Sequence, residues 1–197
     1  MKTMHIDDVL DRAHVVSLPL AVRFRGITTR EALLIEGPAG WGEFAPFLEY
    51  GPAESAAWLR AGIEAAYEGF PEPVRDSIEV NATIPAVPAS EVPALVERYP
   101  GCRTFKIKVA EKGHTLADDA ARVRAVRDTI TQRGEIPILR VDANGGWSVD
   151  EAVEAAQMMM PLDYMEQPCA TTEELAQVRG RLMRAGLFVR VAADESI

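Results

Sequence analysis

Only two cysteines occur in the 197 residues, Cys102 and Cys169. They are too few and too far apart for a disulfide framework or a zinc knuckle, and they point to a reducing cytoplasm. Basic residues are also scarce: 21 Lys and Arg stand against 30 Asp and Glu, a net charge of −9. Without a basic stripe or a Lys/Arg run, neither nucleic acid nor an anionic membrane surface is an expected partner. No apolar run approaches the roughly 20 residues that span a bilayer. The N-terminus, Met-Lys-Thr-Met-His-Ile-Asp-Asp, carries acids where a signal peptide needs an apolar stretch. His5, His14 and His114 share no ligand spacing. With 48% apolar and 26% charged residues the composition is that of a soluble globular chain able to bury a core.

The chain changes character near residue 77. Before it, Glu31–Glu36 reads as a strand, Gly37–Gly40 as a turn and Trp41–Ala45 as the return strand. A helix follows from Pro52, with Trp58, Leu59, Ile63, Ala66 and Tyr67 at helical intervals and Gly69 and Pro71 as the stop. Residues 1–76 therefore read as a small α+β unit with its own core. In 77–197 strands and helices alternate. Strands are expected at Ile78–Ile84, Thr104–Val109, Ile136–Asp142, around Glu166 and at Leu187–Asp194. A short helix capped by Ser90 separates the first two. Helices are then expected from Leu116 to Gln132, from Ser148 to Pro161 and from Thr171 to Gly186, the last two opened by capping boxes. Five such units imply a parallel sheet with right-handed crossovers. A (β/α)₈ barrel and an open doubly wound sheet both fit. The absence of Gly-x-Gly-x-x-Gly after the first strand weighs against a dinucleotide fold.

Three acids close three successive apolar strands: Asp142, Glu166 and Asp194, about one β/α unit apart. Carboxylates at the carboxyl ends of adjacent parallel strands converge, and in a barrel that is where site residues sit. Three hard oxygen donors half-fill an octahedral Mg²⁺ shell and leave positions for an oxyanion. In Phe105-Lys106-Ile107-Lys108-Val109 the period of two sends the apolar residues to one face and both lysines to the other. Lysines on an inward face are costly unless they have a task. Partial burial beside a cation favours the neutral amine, so their pKa is expected to fall toward working pH. Arg140 shares a face with Asp142 and is a candidate either to support the site's own residues or to meet a substrate carboxylate. Asn144, two residues beyond Asp142, can join it. A base beside a divalent cation points to abstraction of a proton α to a carboxylate.

Lys106-x-Lys108, Asp142-x-Asn144, Glu166-Gln-Pro168 and Asp194-Glu-Ser196 together resemble the muconate-lactonizing branch of the enolase superfamily. The stretch from Arg23 to Glu31, Gly37 to Phe44, and Phe47 to Tyr50 is similar to the o-succinylbenzoate synthase family within it. The resemblance implies an N-terminal α+β capping domain (1–76) whose loop around Arg23–Thr29, including Arg25, closes over the substrate. A TIM-type barrel is implied for 77–197, truncated after its fifth strand. It further implies Mg²⁺ held by Asp142, Glu166 and Asp194. Lys108 is the implied base for a syn dehydration that makes o-succinylbenzoate for menaquinone. Lys106 modulates it and contacts a small carboxylate substrate together with Arg25, Arg140 and Asn144.

Racemization of N-succinyl amino acids is the nearest alternative reading, and a non-catalytic metal-binding fragment is one of another class. Trp41, Trp58 and Trp147 read as packing residues. A complete barrel takes roughly 250 residues, and an open edge after the fifth strand is an aggregation hazard. A truncated barrel is the expectation, lacking the lysine that family members place on the sixth strand. The 197-residue chain alone is then expected to be inactive or severely impaired, and measurable turnover by it would refute this.

Overall fold

Strand alternation in the second half of the chain separates an apolar face from a charged one, and the architecture follows from where each face goes. The structure, a computed structural model, describes residues 5–24 and 26–197. The chain divides into two compact units, Met1–Ser77 and Ile78–Ile197.

The first unit begins with a short helix, α1 (Ile6–Leu10), and an antiparallel sheet of β1 (Ala13–Phe24), β2 (Ile27–Gly37) and β3 (Gly40–Phe44), followed by α2 (Pro52–Tyr67). The expected hairpin is there, with Gly37 opposite Gly40. The sequence pattern underestimates β2 and misses β1, because Pro19 and the register shift between Pro19 and Phe24 break β1's alternation. Helix α2 lies directly on β3. A Cβ on Gly42 would stand 1.8 Å from the Gly62 carbonyl oxygen, and one on Gly62 would stand 2.6 Å from that of Glu43. Two glycines thus set the approach of helix to sheet. Val9, Ile35 and Ala66 form the unit's core, with Leu33, Leu59, Ile63 and Tyr67 packed around them. Trp41 and Trp58, expected to pack, are largely exposed, whereas Trp147 of the second unit is buried.

The second unit runs β4 (Ala82–Ile84), α3 (Val92–Val96), β5 (Thr104–Lys108), α4 (Leu116–Gln132), β6 (Ile138–Asp142), α5 (Val149–Met159), β7 (Tyr164–Glu166), α6 (Thr172–Arg184) and β8 (Arg190–Ala192). Among the described residues these five strands form one sheet in the order β4-β5-β6-β7-β8, every pair parallel. The helices expected from capping boxes start directly after Ser148 and Thr171, but Ser90 does not cap the short helix, which starts at Val92 after Glu91 without a side-chain cap. The hydroxyls of Thr115, Ser148 and Thr171 each accept from the backbone N–H three residues on, and Asp118, Glu151 and Glu174 return the bond.

Ile84, Phe105, Ile107, Val141 and Met165 on one face of the sheet are fully buried. The helices supply the complementary surface: Val123, Val126 and Ile130 from α4, Ala155, Ala156 and Met159 from α5, and Val178 and Leu182 from α6. The strands are shorter than their apolar runs. Ile78, Val80, Ile136 and Phe188, assigned to strands by sequence, are exposed and unpaired, because pairing stops where the neighbouring strand stops. Among the described residues no helix is long and apolar enough to cross a membrane. Phe105→Ala removes a ring with no solvent exposure from this sheet–helix layer. It is expected to cost about 3–5 kcal/mol, read as a lower urea midpoint.

Candidate active site

Register places the charged residues in rows. Lys108 pairs with Asp142, Asp142 with Glu166, and Glu166 with Ala192. One pleat below, Thr83, Lys106, Arg140, Tyr164 and Arg190 align. Both rows occupy the face opposite the helices. The upper row is a tight ionic cluster. Lys108 Nζ donates to Asp142 Oδ2 at 2.5 Å and to Asn144 Oδ1 at 2.8 Å. Lys106 Nζ donates to Glu166 Oε1 at 2.6 Å and lies 3.3 Å from Asp142 Oδ2. The Asp142 side chain is 1% exposed, those of Lys108 and Glu166 about a tenth. Asn144 completes the group: its N–H donates to Asp142 Oδ1 at 3.1 Å and its amide donates to Glu195 Oε1 at 2.6 Å.

A lowered lysine pKa was the expectation, and for Lys106 the direction is opposite. Burial favours its neutral form, but the bond to Glu166 and the charges of Asp142 and Glu166 together outweigh it and hold the pKa above its ordinary value. The two carboxylates beside it retain the proton on the amine.

Two of the three expected metal ligands come together. Lys106 Nζ bridges Asp142 and Glu166, so one positive charge already spans two carboxylates, which fits hard-cation chemistry. The third acid stands apart. The β8 residue in the row is Ala192, and Asp194 follows two residues later at a bend, its N–H bonded to Gln167 Oε1. It is exposed. Among the described residues no group of three or more His, Cys, Asp or Glu gathers closely enough to hold a metal ion. The acids are therefore not all in register, as their place at the ends of apolar runs had implied.

Arg140 points its donors elsewhere. Its Nε donates to Asp163 Oδ2 at 3.0 Å, Nη1 donates to Asn81 Oδ1 at 2.9 Å, and the guanidinium lies 4.8 Å from the Tyr164 ring centre. Arg190 also bonds Asp163. The structure thus uses Arg140 to brace the lower row, the supporting role that was one of its two expected ones. Arg25 lies outside the described residues.

Sequence reasoning overlooked three buried polar groups. Gln167 has no exposed surface; its Oε1 accepts from the Asp194 N–H at 2.7 Å and its Nε2 donates to the Cys169 carbonyl at 2.8 Å. Asp119 and Arg122, both 1% exposed, form an ion pair on α4 at 2.7 Å. Their signal was present: two charges at i and i+3 fall within the apolar stripe of Ala120, Val123 and Val126.

Residues 89–197 match the enolase C-terminal domain-like family and residues 15–66 the enolase N-terminal domain-like family. The chain belongs to the enolase superfamily, with an N-terminal α+β domain and a C-terminal domain of barrel type. Among curated relatives, it is 57% identical over 195 residues to o-succinylbenzoate synthase of Mycolicibacterium smegmatis, covering 98% of this chain and 57% of that protein. It is 58% identical over 196 residues to the o-succinylbenzoate synthase of Mycobacterium marinum, covering 98% of this chain and 56% of that one. The chain thus spans little more than half the length of the curated relatives it matches. The substrate-liganded L-Ala-D/L-Glu epimerase from Bacillus subtilis shares 25% identity at a TM-score of 0.70, over 94% of this chain and 67% of that one. The o-succinylbenzoate synthase from Thermosynechococcus elongatus, solved with Mg in its active site, shares 20% identity at a TM-score of 0.58, over 94% and 68%.

Cys169 borders the site, its carbonyl held by Gln167. Burial, then the charges of Glu174 and Glu151, push its thiol up to about 11. The native chain is expected to react with a disulfide reagent at Cys102 alone, and at both cysteines once denatured. The folded thiol keeps its proton after the unfolded one has lost it. Its contribution to stability is therefore complete below about pH 9 and lost as pH rises to about 11. Denaturant midpoints across that range measure the loss.

Proposed function

We propose that this chain carries the metal and base half of an o-succinylbenzoate synthase, acting on SHCHC (2-succinyl-6-hydroxy-2,4-cyclohexadiene-1-carboxylate) in menaquinone biosynthesis. One observation supports it above the others: Lys106 and Lys108 lie on the inward face of one strand, in contact with the carboxylates of Asp142 and Glu166. Curated relatives over half identical bear the name of that enzyme. Two free thiols suit a reducing, cytoplasmic setting.

Asp142 and Glu166 would hold Mg²⁺, with Asp194 completing the set from the next strand end. When bound, the ion supplies positive charge that stabilises an enediolate and favours a neutral lysine. Lys108 Nζ takes the proton α to the substrate carboxylate, leaving the C–H electron pair in the enediolate. The pair then returns to form the ring double bond and expels hydroxide from the adjacent carbon. The Lys108 ammonium gives its proton to that hydroxide, so water leaves from the face the proton left, and the elimination is syn. Asn144 orients Lys108 through its 2.8 Å bond, and Lys106 tunes it by sharing Asp142. Racemization needs bases on opposite faces of the substrate, and Lys106 and Lys108 share one strand face, so that reaction would call for a further base from another part of the barrel.

The test fuses this chain to the remaining C-terminal part of the M. smegmatis relative and supplies SHCHC with Mg²⁺. Formation of o-succinylbenzoate is expected, abolished by chelator and lowered about 10²–10⁴-fold by Lys108→Ala. N-succinyl amino acids in D₂O should show no α-exchange. Exchange without dehydration would sink the proposal in favour of a racemase.

A further inference from the structure

The ion pair buried between α4 and the sheet makes more bonds to backbone than helix packing needs. Arg122 Nε donates to the Val87 carbonyl at 2.6 Å. Its Nη1 donates to the Lys108 carbonyl at 2.9 Å and to Asp119 Oδ1 at 2.7 Å. Its Nη2 lies 2.7 Å from His114 Nδ1, which accepts. The second Asp119 oxygen accepts from the Ala110 N–H at 2.9 Å. The pair therefore grips the loop after β4, the last residue of β5, and both ends of the segment that follows.

The grip on Lys108 falls one residue past the last β4–β5 pair. The Val109 N–H bonds the Asp142 carbonyl on the β6 side, so by alternation the carbonyl of Lys108 faces β4. That strand's last paired residue is Ile84, opposite Ile107, one short of Lys108. Two residues on, Ala110 adopts φ +57°, held by Asp119. A non-glycine residue keeps that conformation only when its surroundings impose it.

We propose that Asp119 and Arg122 are positioning residues: they fix the backbone of Lys108 and so aim its amine along the site row. The value of the pair to the proposed reaction rests on the reading of Lys108 as the base. Its effect on Lys108 geometry does not. A buried ion pair is weak evidence of a stabilising role, because well-packed apolar replacements are often neutral or better. That separates a positioning role from a structural one.

The experiment needs neither turnover nor metal. The sequence holds four lysines, Lys2, Lys106, Lys108 and Lys112. Trace labelling of the folded chain with acetic anhydride, read by peptide mass spectrometry, reports each amine separately. Lys106, two residues away on the same strand face, is the internal reference. In Arg122→Met and in Asp119→Leu/Arg122→Met, labelling of Lys108 relative to Lys106 is expected to rise about threefold or more. Arg122→Lys keeps the charge but not the fork, and should fall between. The double variant should melt cooperatively, no lower than Arg122→Met. An unchanged Lys108-to-Lys106 ratio in a folded double variant overturns the proposal. So does an equal rise at both lysines, which would mean general loosening. Failure of all three variants to fold overturns it too, by making the pair a structural keystone. A failure of the fused protein to dehydrate SHCHC would leave the labelling result standing.

Discussion

The parallel register that joins β5 to β6 and β6 to β7 is the constraint on which the rest of the second unit depends. Side chains alternate with a period of two, so a slip by one residue exchanges the faces of a strand. Phe105 and Ile107 would then meet the charged row, and Lys106 and Lys108 would enter the helix layer beside Val123 and Val126. Unpaired ammonium groups there would cost several kcal/mol each. Burial of the apolar face and pairing of the charged face therefore select one alignment. The alignment that builds the core is the one that builds the site, and neither can be altered alone.

Backbone strain follows the same row. Ala110, Asn144 and Gln167 have φ of 57°, 46° and 35°, each one or two residues beyond Lys108, Asp142 or Glu166. Such conformations cost of the order of 1–3 kcal/mol each and persist only where neighbours over-determine them. Here they do. The Ala110 N–H is bonded by Asp119, that of Asn144 by Asp142, and that of Gln167 by the Ala192 carbonyl. The loops also fit one another. A Cβ on Gly146 would meet the Ala110 Cβ at 2.8 Å, while the Gly145 N–H bonds the Gln167 carbonyl at 2.7 Å. The strand ends form one interlocked rim, and strain held in that rim fixes the directions in which the functional side chains leave the sheet.

Much of this was legible in the sequence because period-two alternation and capping boxes are local signals. Lys106 and Lys108 declared their shared face, and Ser148 and Thr171 their helix starts. Strand ends were not legible, since they depend on where a neighbour stops: Ile78, Val80, Ile136 and Phe188 look like strand residues and are exposed. The register of Asp194 was not legible for the same reason. Its place at the end of an apolar run matched that of Asp142 and Glu166, but register put Ala192 in their row. Asp119 and Arg122 were hidden differently. Charges inside the apolar stripe of α4 point to burial, but the guanidinium's acceptors, the carbonyls of Val87 and Lys108, are remote in sequence.

The charge count of the cluster bears on how a base could arise there. Lys106, Lys108, Asp142 and Glu166 balance when all four are ionised, and despite burial the bonds and charges of Glu166 and Asp142 keep the Lys106 pKa high. Under the proposed reading, a dication held by Asp142, Glu166 and Asp194 would still leave the site with excess positive charge in a region of low solvent access. Two events relieve it: loss of a proton from a lysine, and arrival of an anionic substrate. The first makes a base and the second delivers a carboxylate whose α-proton is to be removed. A single electrostatic imbalance thus favours both conditions for enolisation. It operates only if Lys108 stays close enough to feel the change, which is the geometry that its bonds to Asp142 and Asn144, and the hold of Arg122 on its carbonyl, maintain.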